Sequence, residues 1–234
     1  MPEIFGIEHF MYLIVVIGLM IVAFQMIKKY IKTDQQVDRL VRVIGGLLLM
    51  AIVWNRLSVS ILRSGFSAIL PGSFCGTSSL ALSLSALFLK RNHPVFHSVA
   101  YTGMLGGFLT LVYPEFIGQA DSIWYPMTIS GLVHHTIMVF LILVMISKGH
   151  MVPSHKKWAL LPIGLAFYMT YGLFLISVLH YSDAMYINEP ILEGTPLNWF
   201  VLGLLFLPVH AAFLLVWDKV KQVRKQNNQD TQLA

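Results

Sequence analysis

An all-α, polytopic membrane fold is predicted, on three observations. Only 12% of the 234 residues are charged and 56% are hydrophobic, whereas a soluble domain carries about 25% charged residues. The mean hydropathy is +0.71. The apolar residues gather into seven runs near 9–27, 41–62, 72–89, 94–113, 125–147, 158–180 and 198–217. Crossing roughly 30 Å of hydrocarbon takes about 17–25 helical residues, and helices satisfy their own backbone groups in lipid.

The first run is expected to be a retained span rather than a cleaved leader. Glu3 and Glu8 precede it, Lys28 and Lys29 follow it, and no small-residue cleavage site is present. The second run holds Gly45 and Gly46, then Trp54-Asn55-Arg56 towards its end. The third opens with Leu70-Pro71-Gly72-Ser73-Phe74-Cys75-Gly76-Thr77-Ser78-Ser79, which contains the one cysteine. The fourth carries Gly103, Gly106 and Gly107, and the GxxxG pair reads as close helix packing. The fifth carries His134 and His135, the sixth Tyr168 and Tyr171, and the seventh Pro208 and His210. Residues 1–218 are read as one seven-helix transmembrane domain. Residues 219–234 are read as a basic, polar cytoplasmic tail that loses helical order beyond its first turn.

Charge sets the expected orientation. Lys28, Lys29, Lys32, Arg39 and Arg42 lie in the first loop, Lys90 and Arg91 in the third, and Lys148, Lys156 and Lys157 in the fifth. Lys219, Lys221, Arg224 and Lys225 lie in the tail. The alternate loops, around Glu115 and Asp121 and around Asp183, Glu189 and Glu193, have no Lys or Arg, and only Arg56 and Arg63 fall towards that side. The positive-inside rule then puts the N-terminus outside and the C-terminus in the cytoplasm. Short loops and the lack of organelle signals fit a multi-pass protein of a bacterial plasma membrane, a cell membrane.

Several classes are excluded. The basic balance is a membrane-orientation signal, so no nucleic-acid partner is expected. A single cysteine forbids an intrachain disulfide and any multi-cysteine metal site. No phosphate loop, dinucleotide fingerprint or HExxH occurs, and no metal or cofactor is expected. A retinal protein needs a lysine inside the seventh span, and 198–217 has none.

The chemistry-bearing residues fall in the outer half of this topology. Ser78, Ser79 and Ser83 follow Cys75 at i+3, i+4 and i+8, on one broad helical face. These residues read either as small packing residues or as a nucleophile with supporting hydroxyls. His134 and His135 lie about 15 Å into their helix at 1.5 Å per residue. Ionisable groups at such depth are functional candidates, with helix-to-helix packing as the competing reading. On these boundaries they are several ångströms deeper than Cys75. Arg56 reads as a snorkelling side chain or as a contact for an anionic head group. Tyr186, in the outer loop, is an interfacial aromatic or part of a site. A Cys beside a His suits acyl transfer through a thioester, with Ser78 and Ser79 hydroxyls or backbone amides at the oxyanion.

Four stretches carry a resemblance that covers nearly the whole chain: Phe5-Gly6-Ile7-Glu8-His9, Leu70-Pro71-Gly72-Ser73-Phe74-Cys75, Gly131-Leu132-Val133-His134-His135-Thr136, and Met185-Tyr186-Ile187-Asn188-Glu189-Pro190 with Thr195-Pro196-Leu197-Asn198-Trp199-Phe200. In order and placement they resemble the YwaF-like bacterial integral membrane family, which is related to eukaryotic transmembrane protein 164. The resemblance implies a seven-span fold and a cysteine-dependent acyltransferase that takes membrane phospholipids as partners. Carried over by position, it implies Cys75 as nucleophile, with His135 as first choice of base and His134 in reserve. Read from the residues rather than carried over, Arg56 would be a head-group contact in such an enzyme, and Tyr168 or Tyr171 would orient. Here Ser73 stands where the motif has His, Gly76 where an acidic residue is usual, and Asp183-Ala184 where Asn-Tyr is usual. The alternative is a membrane protein that binds or transports a lipid or small solute without catalysis.

Overall fold

A computed structural model describes residues 6–64, 69–114 and 122–233, without the side chains of 63, 64 and 224–233. Glu3, Phe5, Glu115, Asp121 and the side chains of Arg63, Arg224 and Lys225 lie outside the described residues. Among those described there are seven α-helices and no strand: α1 Ile7–Tyr30, α2 Asp34–Val59, α3 Phe74–Phe88, α4 Pro94–Val112, α5 Pro126–Ser147, α6 Leu160–Ser177 and α7 Trp199–Leu233. A π-helical turn, Ser60–Ser64, continues α2, and a 3₁₀ turn, His155–Lys157, leads into α6.

Among the described residues, five helical segments are long and apolar enough to cross a membrane: α1, α4, α5, His155–Ser177 and Trp199–Val223. The all-helical class is as expected. α3 is shorter than expected, at 15 residues, or about 22 Å at 1.5 Å per residue. α2 begins at Asp34 rather than near residue 41, because Thr33 and Gln36 form a capping box there. α7 runs as one helix to Leu233 instead of losing order after residue 219. A helix already nucleated in an apolar span extends readily into a run of Lys, Arg and Gln, which are good helix formers.

α2, α3, α4 and α5 form the centre of the bundle, and α6 packs on α4. The core between them holds Val41, Leu48, Leu82, Phe96, Met138, Leu141 and Tyr168, all fully buried. Close approach rests on small residues. A Cβ on Gly45 would lie 2.5 Å from that of Ala86, so α2 and α3 touch nearly backbone to backbone. Gly103 and Gly107 press on Met138 of α5, which is the packing role their spacing predicts. α1 and α7 are outermost, with Ile14, Leu19, Leu205 and Val209 among their exposed apolar residues.

The basic end of the bundle is tied by polar contacts. Arg91 donates from Nη1 to Asp34 at 2.7 Å and from Nε to Asp38 at 2.5 Å. His150 Nδ1 lies 3.1 Å from the same Asp38 oxygen. Burial of Asp38 is outweighed by Arg91 and His150, which hold its carboxyl below the ordinary range. Asn92 accepts from Val152 at 3.1 Å and from Lys157 at 2.5 Å, and Asp218 of α7 accepts from Ser154 and His155.

Candidate functional site

The site is built around the start of α3. Ser73 caps the helix, its Oγ accepting from the Gly76 N–H at 3.2 Å. The Thr77 hydroxyl donates to the Pro71 carbonyl at 3.0 Å and holds the preceding turn. Cys75 is the second residue of α3. The N–H groups of the first turn have no partner inside the helix, and the positive end of its dipole lies there.

Cys75 opens into a cavity of about 200 Å³. Ser73, Phe74 and Cys75 form its α3 wall, and His135 of α5 enters beside them. α4 lines it with Thr102, Gly106 and Thr110 on one stripe and Leu105 and Leu109 on the next. Leu165 of α6, Leu202, Gly203 and Phe206 of α7, and Tyr186 and Ile191 of the 178–198 segment complete it. The thiol and the Thr110 hydroxyl are neighbours.

The two histidines part company here. His135 Nδ1 lies 2.7 Å from the Gly131 carbonyl. A carbonyl only accepts, so Nδ1 carries the proton and Nε2 is left with a lone pair. That Nε2 is buried and has no hydrogen-bond partner. The His134 ring lies against that of His135, tilted by 35° with centroids 4.0 Å apart, but its Nδ1 meets Ser79 Oγ at 3.1 Å, and it does not line the cavity. Cys75 and His135 line the same cavity, and the start of α3 is covered by the 178–198 segment. Met185 donates its N–H to the Gly72 carbonyl at 2.7 Å, Tyr181 bonds Leu70, and Ala184 and Met185 are buried.

The other candidates are distributed. Ser78 Oγ lies 2.5 Å from the Tyr168 hydroxyl, both fully buried, and Ser79 is engaged by His134. Neither serine lines the cavity. Tyr171 and Arg56 interact with one another and with Tyr181, away from the cavity lining. The Nε of Arg56 and the hydroxyl of Tyr171 are buried without a hydrogen-bond partner.

Tyr186 does line the cavity, stacked on Phe74 with centroids 6.2 Å apart. Burial, with the Cys75 thiol and Asp183 nearby, pushes its phenol up to about 12, so it keeps its proton and can donate. Met185 and Tyr186 both have φ of 56°, a left-handed conformation that costs ordinary residues free energy and clusters at functional sites.

Sequence reading missed Thr102, Thr110 and the role of Gly106. A Gly-Gly doublet next to a GxxxG pair was the available signal for Gly106. The two threonines carried none, because hydroxyls are common on packed membrane helices.

Fold and site together define a multi-pass, all-helical membrane protein with one cavity lined by Cys75 and by His135, whose Nε2 has no hydrogen-bond partner. The chain belongs to the TMEM164 family, whose model matches residues 4–217. No curated protein and no solved structure matches it.

Proposed function

We propose that this chain is a membrane acyltransferase that moves a fatty acyl group from a phospholipid to a lipid acceptor through a thioester on Cys75. The observation that carries the reading is that His135, whose buried Nε2 has no hydrogen-bond partner, lines the same cavity as Cys75. In the first half-reaction Nε2 takes the thiol proton and Sγ attacks the ester carbonyl. The tetrahedral oxyanion is met by the Cys75 N–H and the Tyr186 hydroxyl. The C–O bond then breaks, His135 returns the proton to the departing lysophospholipid oxygen, and the thioester remains. In the second half His135 deprotonates the acceptor hydroxyl, which attacks the thioester, and the sulfur leaves and regains a proton.

In this reading all seven helices cross the bilayer of a bacterial plasma membrane, with the N-terminus outside. Support comes from the grouping of Arg91, Lys148 and Lys157 at one end of the bundle and of Cys75 near the other. His134, Ser78, Ser79, Tyr168 and Tyr171 act as packing and positioning residues, and Arg56 is not assigned to the substrate.

A non-catalytic lipid- or solute-binding protein is the second reading. It is favoured by Ser73, Gly76 and Asp183-Ala184, where the resembling motifs have other residues. Intact mass of protein purified from its own membrane, before and after neutral hydroxylamine, separates the two. Acyl transfer requires an acyl-sized adduct that hydroxylamine removes, that Cys75→Ala lacks, and that turns over on addition of lysophospholipid. Bound lipid that persists in Cys75→Ala, with no adduct in the wild type, selects the binding reading.

A further inference from the structure

Along α4 the cavity runs from Thr102 to Thr110, about 12 Å at 1.5 Å per residue. It is too short to enclose a fatty chain. Next to Thr102, Tyr101 of α4 meets α7, its ring tilted by 58° against His210 with centroids 4.4 Å apart and edge-on to Phe213 at 6.0 Å. The two helices are faced by Leu105 and Leu109 on one side and Leu202 and Phe206 on the other, all lining the cavity. Leu105 and Leu109 are also 42% and 50% exposed. A side chain that lines a cavity and is half exposed marks where that cavity reaches the surface.

The surface it reaches is apolar. Phe108 and Val112 of α4 and Leu205 and Val209 of α7 are exposed around it, so the opening meets hydrocarbon rather than water. Gly203 keeps its α7 edge thin: a Cβ there would meet only Leu165 Cδ1, at 3.6 Å. The stripe facing inward, Thr102, Gly106 and Thr110, is small and partly polar, and the stripe at the mouth is leucine.

We propose that the slot between α4 and α7 is a lateral portal through which one acyl chain of a membrane lipid threads to Cys75, its distal part remaining in the bilayer. The inference rests on the acyltransfer reading for its purpose, and it names the donor class: a chain delivered from the membrane, not a water-soluble acyl thioester. The reacting carbonyl sits at the level of Gly106 while the chain leaves sideways.

The test uses full-length Cys75→Ala protein in phosphatidylethanolamine/phosphatidylglycerol vesicles. These contain a trace of phosphatidylethanolamine with a diazirine in the middle of one acyl chain. After irradiation, adducts are mapped by peptide mass spectrometry. Labelling of the buried Leu165 and of Thr102, whose hydroxyl oxygen is buried, is expected, and Leu109→Trp or Gly203→Trp should lower it at least fivefold with an unchanged melting temperature. Labelling confined to the outer faces of α1 and α7, or labelling of Leu165 and Thr102 that both tryptophans leave intact, would overturn the portal. Because Cys75→Ala has no nucleophile, the result stands apart from catalysis. A labelled slot with no thioester in the wild type would sink the transferase reading and leave the portal.

Discussion

The Sγ of Cys75 occupies the space that a side chain at Gly106 would take. A Cβ built on Gly106 overlaps that sulfur, while its neighbours Gly103 and Gly107 face Met138 and Val139 of α5. Two of the three glycines on α4 therefore serve helix packing, and the third makes room for the thiol.

Gly106→Ala should displace Cys75 from the cavity without unfolding the bundle, since the overlap is with one small side chain. Thioester formation is expected to fall more than tenfold while the melting temperature in detergent shifts by only a few degrees. Unaltered acylation in Gly106→Ala would mean that the sulfur does not depend on this position.

The histidines should separate in a kinetic experiment. His135→Gln removes the free Nε2 and is expected to cost about 10²–10⁴ in the rate of thioester formation, the usual range for a positioned base. His134→Gln removes a ring that bonds Ser79 and packs against His135, so its effect should appear mainly as lost thermal stability. Equal rate losses for both would contradict the division. Single-turnover acylation measured across pH is the readout. The base-dependent limb should vanish in His135→Gln and persist in His134→Gln.

Ser73→Ala tests the helix cap. Losing the Ser73 Oγ contact to the Gly76 N–H should cost about 1 kcal/mol, visible as a lowered denaturation midpoint. Ser73→Asp, which keeps a capping oxygen, should restore it.

Tyr168→Phe tests the buried hydroxyl pair on the other face of α3. It leaves the fully buried Ser78 without its 2.5 Å partner, and an unsatisfied buried hydroxyl costs about 1–3 kcal/mol. The double variant Tyr168→Phe/Ser78→Ala should recover part of that loss, because neither polar group is then stranded.

At the basic end, stability should fall with acidity. Burial lowers the His150 imidazole from its ordinary value, against the opposing pull of Asp38, and Arg91 and Arg42 lower it further. A group depressed in the folded state gives stability that is fully present above its unfolded value, near 6.5, and is lost as pH falls through the folded value. Asp38, also depressed, adds a loss at lower pH, below about 4. Thermal melts from pH 7.5 down to 5 should show a declining midpoint, with a shallower slope in His150→Gln.

Much of the architecture was legible in the chain. Low charge, seven apolar runs and the grouping of Lys and Arg carry an all-helical membrane fold, because lipid admits few other solutions. Element boundaries were less legible where local chemistry, rather than hydropathy, sets them: the Thr33–Gln36 capping box moves the start of α2, and the Ser73 cap starts α3 at Phe74.

The sequence by itself determined the class of the protein and a short set of polar groups in apolar surroundings, Cys75, His134, His135 and Arg56 among them. Composition and spacing report the cost of burying a group, and that cost singles these residues out. Only the tertiary structure decided how they are used. Adjacent helix positions point about 100° apart, and which of His134 and His135 meets the cavity depends on how α5 is rotated against α3 and α4. The partners that settle it, the Gly131 carbonyl for His135, Ser79 for His134 and Gly106 for Cys75, come mostly from other helices. Their relation is fixed by side-chain packing across the bundle, which no single helix's periodicity contains.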